Sequence, residues 1–325
     1  MHDGTETGRR EYSPLEQLRS HVRDVSAPAL AEPAKILLDA LLEKYPGAAA
    51  LFYGSGASVS SLENPADIVF DFYLIGESYK SLYTSRALQM ANRLLPPNVF
   101  YLETPSPYGT LRAKYAVLSL RHFERLVSKQ TFHSYFWARF AQPIRIYDPA
   151  GRMQARLETA LAQAITSFCR ASAGLASAPF TARELWLAGL GASYKAELRA
   201  EDTTRAARLI DNYGDWAVQV TPPALAAAGL SPQEENLKSS LSRQPPRWRT
   251  KFAWRLRALA GAALSVLRLL KGAKTFNGGI DYIAWKIHRH SGVDVEITEW
   301  ERRHPMLGAP GAAWRYYRRR KAIRR

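Results

Sequence analysis

An acidic residue sits in the middle of an otherwise apolar run: Ile68-Val69-Phe70-Asp71-Phe72-Tyr73-Leu74-Ile75. The run has strand length and β-branched and aromatic character, so it reads as a sheet strand bounded by polar segments. A buried unpaired carboxylate is costly, so Asp71 calls for a metal ion or a cationic partner. On an extended backbone, positions 67, 69 and 71 share one face, which would let Asp67 join Asp71.

A second apolar run, Ala48 to Tyr53, precedes it and enters the turn Gly54-Ser55-Gly56. Glycines at such a turn let backbone N–H groups approach a triphosphate, and the Ser55 hydroxyl adds a hydrogen bond. Carboxylates on the following strand would hold Mg²⁺ against the phosphates. A strand running into Gly-Ser, then a carboxylate-bearing strand, is the arrangement of polymerase-beta-type nucleotidyltransferases. Gly-Ser-Gly alone is also a common turn, and Asp67 alone reads equally as a solvated residue at strand entry.

Around this pair the pattern alternates irregularly. Ala34 to Tyr45 and Tyr79 to Leu95 read as helices, the latter stopped by Pro96-Pro97, and Arg121 to Ser128 as another. Val99 to Glu103 and Leu111 to Ser119 read as strands. The expected class is α+β, a mixed sheet with helices on one side. Residues 1–150 form the expected nucleotidyltransferase domain and 151–235 a helical or winged-helix domain, in which Thr181 and Glu184 have capping-box spacing. Ser231 to Pro246, with three prolines, reads as a linker. Residues 236–325 form a basic, membrane-associating C-terminal region.

Charge is concentrated in that region. From Arg247 to Arg325 there are 19 Lys and Arg against 5 Asp and Glu, which leaves only +2 of the net +16 for the first 246 residues. Such an excess implies an anionic partner. Phe252, Leu256, Leu259, Ala263, Val266, Leu267 and Leu270 fall on one helical stripe. Arg257, Arg268 and Lys271 flank one side of it, and Lys251 and Arg255 the other, as in an interfacial helix meeting anionic headgroups. Trp248 and Trp254 suit the same interface. Packing on the protein core is the alternative for such an Ala-rich helix. Lys274, before Thr275-Phe276-Asn277-Gly278-Gly279, is a candidate phosphate ligand, a helix-ending turn being the other reading. No apolar run is long enough to span a bilayer and no signal peptide is readable, so the expected address is cytoplasmic and peripheral on the inner face of the membrane. The single cysteine, Cys169, excludes a disulfide framework and a multi-cysteine zinc site.

Short motifs in one order, over roughly Leu51 to Val220, resemble the mitochondrial translocator assembly and maintenance family of phosphatidate cytidylyltransferases, which has bacterial members. The likeness lies in Tyr53-Gly54-Ser55-Gly56, in Asp71-Phe72-Tyr73 with Glu77, in Lys114-Tyr115-Ala116-Val117, and in Ala138-Arg139-Phe140-Ala141-Gln142-Pro143-Ile144. It continues through Phe180-Thr181 to Leu185 and Gly191-Ala192-Ser193-Tyr194-Lys195-Ala196-Glu197-Leu198-Arg199. The resemblance implies transfer of a cytidylyl group from CTP to phosphatidic acid, giving CDP-diacylglycerol, the precursor in cardiolipin and other phospholipid biosynthesis. It implies Asp71 and Lys114 as catalytic residues, Tyr53, Gly54, Ser55, Gly56, Ser193 and Tyr194 as nucleotide ligands, and Mg²⁺ on Asp71 with Asp67 or Glu77. Arg139 and Arg199 would bind phosphate or lipid; as ordinary cations, both have ion pairing as the plainer reading.

The sequence departs from the family at Ala116 and Ala196, where the family has glycine, and lacks its Trp-His and His-Tyr-Ser signature between Ser78 and Leu95. The same fold and basic tail also suit an RNA-directed nucleotidyltransferase, although no nucleic acid is the expectation. A catalytically degenerate membrane adaptor is the non-enzyme alternative. Oligomeric state is left open.

Overall fold

Five strands carry the fold. In the computed structural model, which describes residues 12–54, 64–177, 179–197, 203–230, 232–235, 238–241, 246–275, 298–303 and 315, the chain order is α1 (Pro14–Ser26), α2 (Glu32–Lys44), β1 (Ala49–Tyr53) and β2 (Val69–Gly76). There follow α3 (Tyr79–Leu82), α4 (Arg86–Leu94), β3 (Asn98–Ser106), β4 (Gly109–Ser119), α5 (Leu120–Val127), α6 (Trp137–Phe140) and β5 (Arg145–Tyr147). Next come α7 (Gln154–Ser172), α8 (Ala182–Ala196), α9 (Thr203–Asn212), α10 (Trp216–Ala227), β6 (Pro232–Glu235), β7 (Lys238–Leu241), α11 (Arg247–Thr275) and α12 (Glu299–Arg303). The sheet order is β3-β4-β2-β1-β5, with β2 parallel to β4 and every other neighbouring pair antiparallel. The fold is therefore α+β with a mixed sheet.

The chain divides into two compact units that interleave in sequence. One comprises residues 1–27, 126–143 and 155–258, and the other 28–125, 144–154 and 259–325. The sequential limits expected at 150 and 235 are not the limits of these units. In the first unit the reason is visible at α1, whose Arg23 and Arg19 reach Glu158 of α7 at 2.8 and 3.5 Å, and Glu158 is buried. Ser13 caps α1, accepting from the Glu16 amide, with Pro14 at the first helical position. The expected capping box is present on α8: the Thr181 hydroxyl accepts from the Glu184 amide, and the Glu184 carboxylate accepts from the Thr181 amide. The segment read as a linker instead contains the β6–β7 hairpin.

The second unit holds the five-stranded sheet. One of its faces is apolar: Phe52, Phe70, Phe72, Leu74, Ala113, Tyr115 and Val117 pack with Leu37, Leu38 and Leu41 of α2 and with Tyr79 and Leu82 of α3. The helix expected over Tyr79 to Leu95 is two helices, because Ser78 and Ser85 each cap a new start. Behind that break a buried polar cluster fastens the corner. Asn92 donates to the Val117 carbonyl at 2.6 Å and to the Tyr83 hydroxyl at 3.0 Å, and accepts from the Asn98 amide at 2.9 Å. Tyr79 Oη lies 2.6 Å from His122 Nδ1, and burial pushes the His122 pKa down to about 4.

Asn92→Ala strips three groups of a partner in a site with no solvent exposure. Urea denaturation of the variant is expected to show a loss of about 2 kcal/mol or more. A midpoint within error of wild type would mean the cluster is not stabilising.

Candidate functional site

β1 ends at Tyr53, and Gly54 follows with φ +87°, in the left-handed region that favours glycine. A Cβ at Gly54 would lie 3.6 Å from Asp71 Oδ2, so the Gly54 backbone and the carboxylate are neighbours. Strand register explains the approach. Tyr53 pairs with Asp71, Asp71 with Lys114, and Lys114 with Tyr101, giving one row across four strands. The next residues along, Phe52, Phe72, Tyr115 and Phe100, face the opposite side and belong to or pack on the apolar core.

Lys114 Nζ stands 3.5 Å from Asp71 Oδ1, with the two side chains 40% and 33% exposed. A pair this open to water is worth no more than about 1 kcal/mol, so a charged ligand can compete for either member. The charge demanded by the apolar run is thus met by a lysine at the adjacent strand position. A second polar row flanks the first. Arg112 Nε donates to Glu103 Oε1 at 3.1 Å and its Nη1 to the Ala66 carbonyl at 2.9 Å, while Tyr101 Oη donates to the same Glu103 oxygen at 2.9 Å. Burial and the hydrogen bond to Glu103 both raise the Tyr101 pKa.

Tyr101, Glu103 and Arg112 were not among the expected site residues. Their signal lies in the hairpin: a two-residue loop, Pro107-Tyr108, between Ser106 and Gly109 fixes which residues of β3 meet which of β4. The alternating Tyr-x-Glu and Arg-x-Lys then fall opposite one another.

Two expected carboxylates do not join Asp71 on its strand. Asp67 closes a 3-10 turn, Pro65–Asp67, and is exposed; the strand starts only at Val69, so positions 67 and 71 do not share a strand face. Glu77 lies one residue beyond β2, about 20 Å from Asp71 along an extended backbone, which is too far for one ion. Among the described residues no three His, Cys, Asp or Glu side chains gather as a metal-holding group. Asp71, partly exposed beside a glycine turn, still suits Mg²⁺ in its usual form: one carboxylate, with waters and substrate phosphates completing the shell. Ser55, Gly56 and Arg199 lie outside the described residues. Lys274 falls in the final turn of α11, with its side chain outside them.

The other expected ligands belong to the first unit and are occupied structurally. Arg139 on α6 forms a largely buried ion pair with Glu197, at 3.6 Å with side chains 12% and 8% exposed, and its guanidinium stacks 4.8 Å from the centre of the Tyr135 ring. Ser193 is buried and donates to the Leu190 carbonyl of its own helix, and Tyr194 is likewise buried. The two motifs quoted from this part of the chain therefore meet as a packed interface between α6 and the end of α8. In this arrangement Arg139, Ser193 and Tyr194 are engaged in packing contacts.

The basic helix α11 also differs from expectation. Phe252, Leu256, Leu259, Ala263, Val266 and Leu267 are exposed, as an interfacial stripe would be, and Trp248 with them. Several flanking groups turn inward instead. In the first unit, Trp254 is buried with its indole donating to the Ala171 carbonyl, and Arg257 Nε donates to the Phe132 carbonyl at 2.9 Å. In the second, Arg268 donates to the Pro96 carbonyl, and Lys271 to Pro97, Leu95 and Asn98. These cations are engaged by backbone carbonyls rather than held out for headgroups; Lys251 and Arg255 are exposed. Among the described residues no helix is long and apolar enough to cross a membrane.

If Arg139 and Glu197 are a structural pair, Glu197→Gln leaves a buried cation uncompensated. Chemical denaturation is expected to show a loss of about 3 kcal/mol or more, with Arg139→Met/Glu197→Leu recovering much of it. Equal losses in single and double variants would remove the pair as the cause.

No family model matches the chain, and no curated protein does.

Proposed function

We propose that this chain is a phosphatidate cytidylyltransferase, converting CTP and phosphatidic acid to CDP-diacylglycerol and pyrophosphate at a membrane surface. The observation that carries the reading is the close approach of Gly54, at positive φ, to Asp71, beside Lys114 in register on the neighbouring strand. This is the juxtaposition that nucleotidyl transfer requires, and three of the motifs that resemble the family, those holding Tyr53–Gly54, Asp71 and Lys114, lie along it.

In the proposed step a phosphate oxygen of phosphatidic acid attacks the α-phosphorus of CTP. The new P–O bond forms as the bond to the β-phosphate oxygen breaks, and pyrophosphate leaves. The attacking phosphate is already anionic, so no general base is required. The absence of a Cβ at Gly54 admits phosphate close to the backbone, and Lys114 offsets charge on the transferred group as a point cation. Asp71 would hold Mg²⁺, which when bound supplies charge neutralisation at the phosphates. Asp67 and Glu77 have no part in this assignment.

The exposed stripe of α11 supports the lipid side of the reading. Phe252, Leu256, Leu259, Val266 and Leu267 together present large apolar side chains to solvent from one helix, which favours an acyl boundary over an RNA backbone. The helices α7 to α10 followed by the β6–β7 hairpin give the element order expected of a winged-helix domain.

Incubation of the purified chain with Mg²⁺, CTP and phosphatidate vesicles, followed by mass spectrometry of the lipids, is expected to detect CDP-diacylglycerol. Asp71→Asn should lower turnover at least about 100-fold with an unchanged circular dichroism spectrum; undiminished turnover would remove Asp71 from the mechanism. Leu256→Asp/Leu259→Asp should abolish co-flotation with anionic vesicles. Retained flotation would assign membrane contact elsewhere.

A further inference from the structure

Within the first unit, a cavity of about 480 Å³ is lined by Lys129, Arg170, Arg249, Arg257, Thr250 and Trp137, among others. Four of its side chains are cationic and none of its lining residues is an acid. Among the described residues no carboxylate pairs with any of the four. Like charges gathered around one concavity repel one another, and an anion inside it relieves that repulsion.

The cavity is built rather than incidental. Arg257 is held by its Nε bond to the Phe132 carbonyl, and its guanidinium carbon lies 4.8 Å from the ring centre of Phe132, 5.2 Å from that of Trp254 and 5.8 Å from that of Trp137. Its Nη groups donate to nothing among the described residues. Burial lowers the Arg257 pKa, the direction an anionic ligand would reverse. The lining is fixed as well: Trp137 Nε1 donates to the Thr131 carbonyl, and the Ala171 carbonyl accepts from Trp254 Nε1. A Cβ on Gly174 would fall 2.2 Å from Thr250 Oγ1, so the close seating of α11 there depends on a residue without a side chain.

Guanidinium groups match phosphate oxygens in pairs, and four cations suit a dianion better than a singly charged diester. The volume lies in the range of small-molecule sites, and the Trp137, Ala228 and Leu230 side of the lining suits an organic substituent. We propose that this cavity binds a phosphate monoester through Lys129, Arg170, Arg249 and Arg257, at a site made of none of the residues of the Asp71 row. The monoester can come from a soluble phosphate compound or from a lipid headgroup.

The test uses the full chain with two probes. Calorimetric titration with glycerol 3-phosphate reads the soluble arm. Flotation with phosphatidylcholine vesicles containing either phosphatidic acid, a monoester, or the same fraction of phosphatidylglycerol, a diester, reads the lipid arm. Saturable binding of glycerol 3-phosphate, or a preference for phosphatidic acid over phosphatidylglycerol, is expected in at least one arm. Arg170→Gln/Arg249→Gln changes two exposed positions and should weaken that binding at least about tenfold, the loss of one to two charge-assisted contacts, with circular dichroism unchanged. Lys114→Met should leave it intact. Binding in neither arm, binding unaffected by Arg170→Gln/Arg249→Gln, or binding that is lost with Lys114 would each overturn the assignment.

Discussion

The alternation of β2 governs the rest of the sheet's chemistry. Phe70, Phe72 and Leu74 enter the apolar core on one side, and a two-residue period then leaves Val69 and Asp71 on the other. The ring of Phe52 lies 4.9 Å from that of Phe72 and 6.0 Å from that of Phe70, so aromatic packing pins the β1–β2 register. A slip of one residue would drive the Asp71 carboxylate into that cluster and turn a phenylalanine to the polar row. Holding the register is what places Tyr53, Gly54 and Lys114 around one acid.

Local signals in the sequence were faithful where short-range physics decides. The strand runs ending at Tyr53 and holding Asp71, the Thr181 to Glu184 cap and a helix carrying the Phe252 to Leu270 stripe all appear close to where residue patterns put them. The break between α3 and α4 was hidden because Ser85 reads as one polar residue in a helical pattern, whereas its hydroxyl accepts from the Leu88 amide and starts a new helix. Likewise β6 and β7 were lost among prolines, since Pro232 at the first position of a strand is compatible with pairing.

The candidate site was legible residue by residue but not as a set. Asp71 and Lys114 were each recognisable, yet their adjacency follows from a parallel pairing that no local pattern reveals. Arg139 and Glu197 are 58 positions apart, and each looks like an ordinary charged residue in sequence; only the tertiary contact turns two motif-like stretches into a packed interface. Asp67 misled for the opposite reason. Pro65 makes a tight turn of the segment where simple extrapolation of the strand predicted extended chain.

The facing of α11 has a different kind of consequence. In the second unit, Lys271 gives hydrogen bonds to the Pro97 carbonyl at 2.7 Å and to Asn98 Oδ1 at 3.0 Å, and burial with the neighbouring Arg268 pushes its pKa down to about 8. Arg268 holds the Pro96 carbonyl at 2.8 Å. With these groups anchoring its C-terminal half, the helix is not free to roll about its axis and tuck its leucines away. Among the described residues that stripe therefore stays in solvent, and handling in vitro depends on what is offered to cover it: amphiphile, lipid or a neighbouring copy.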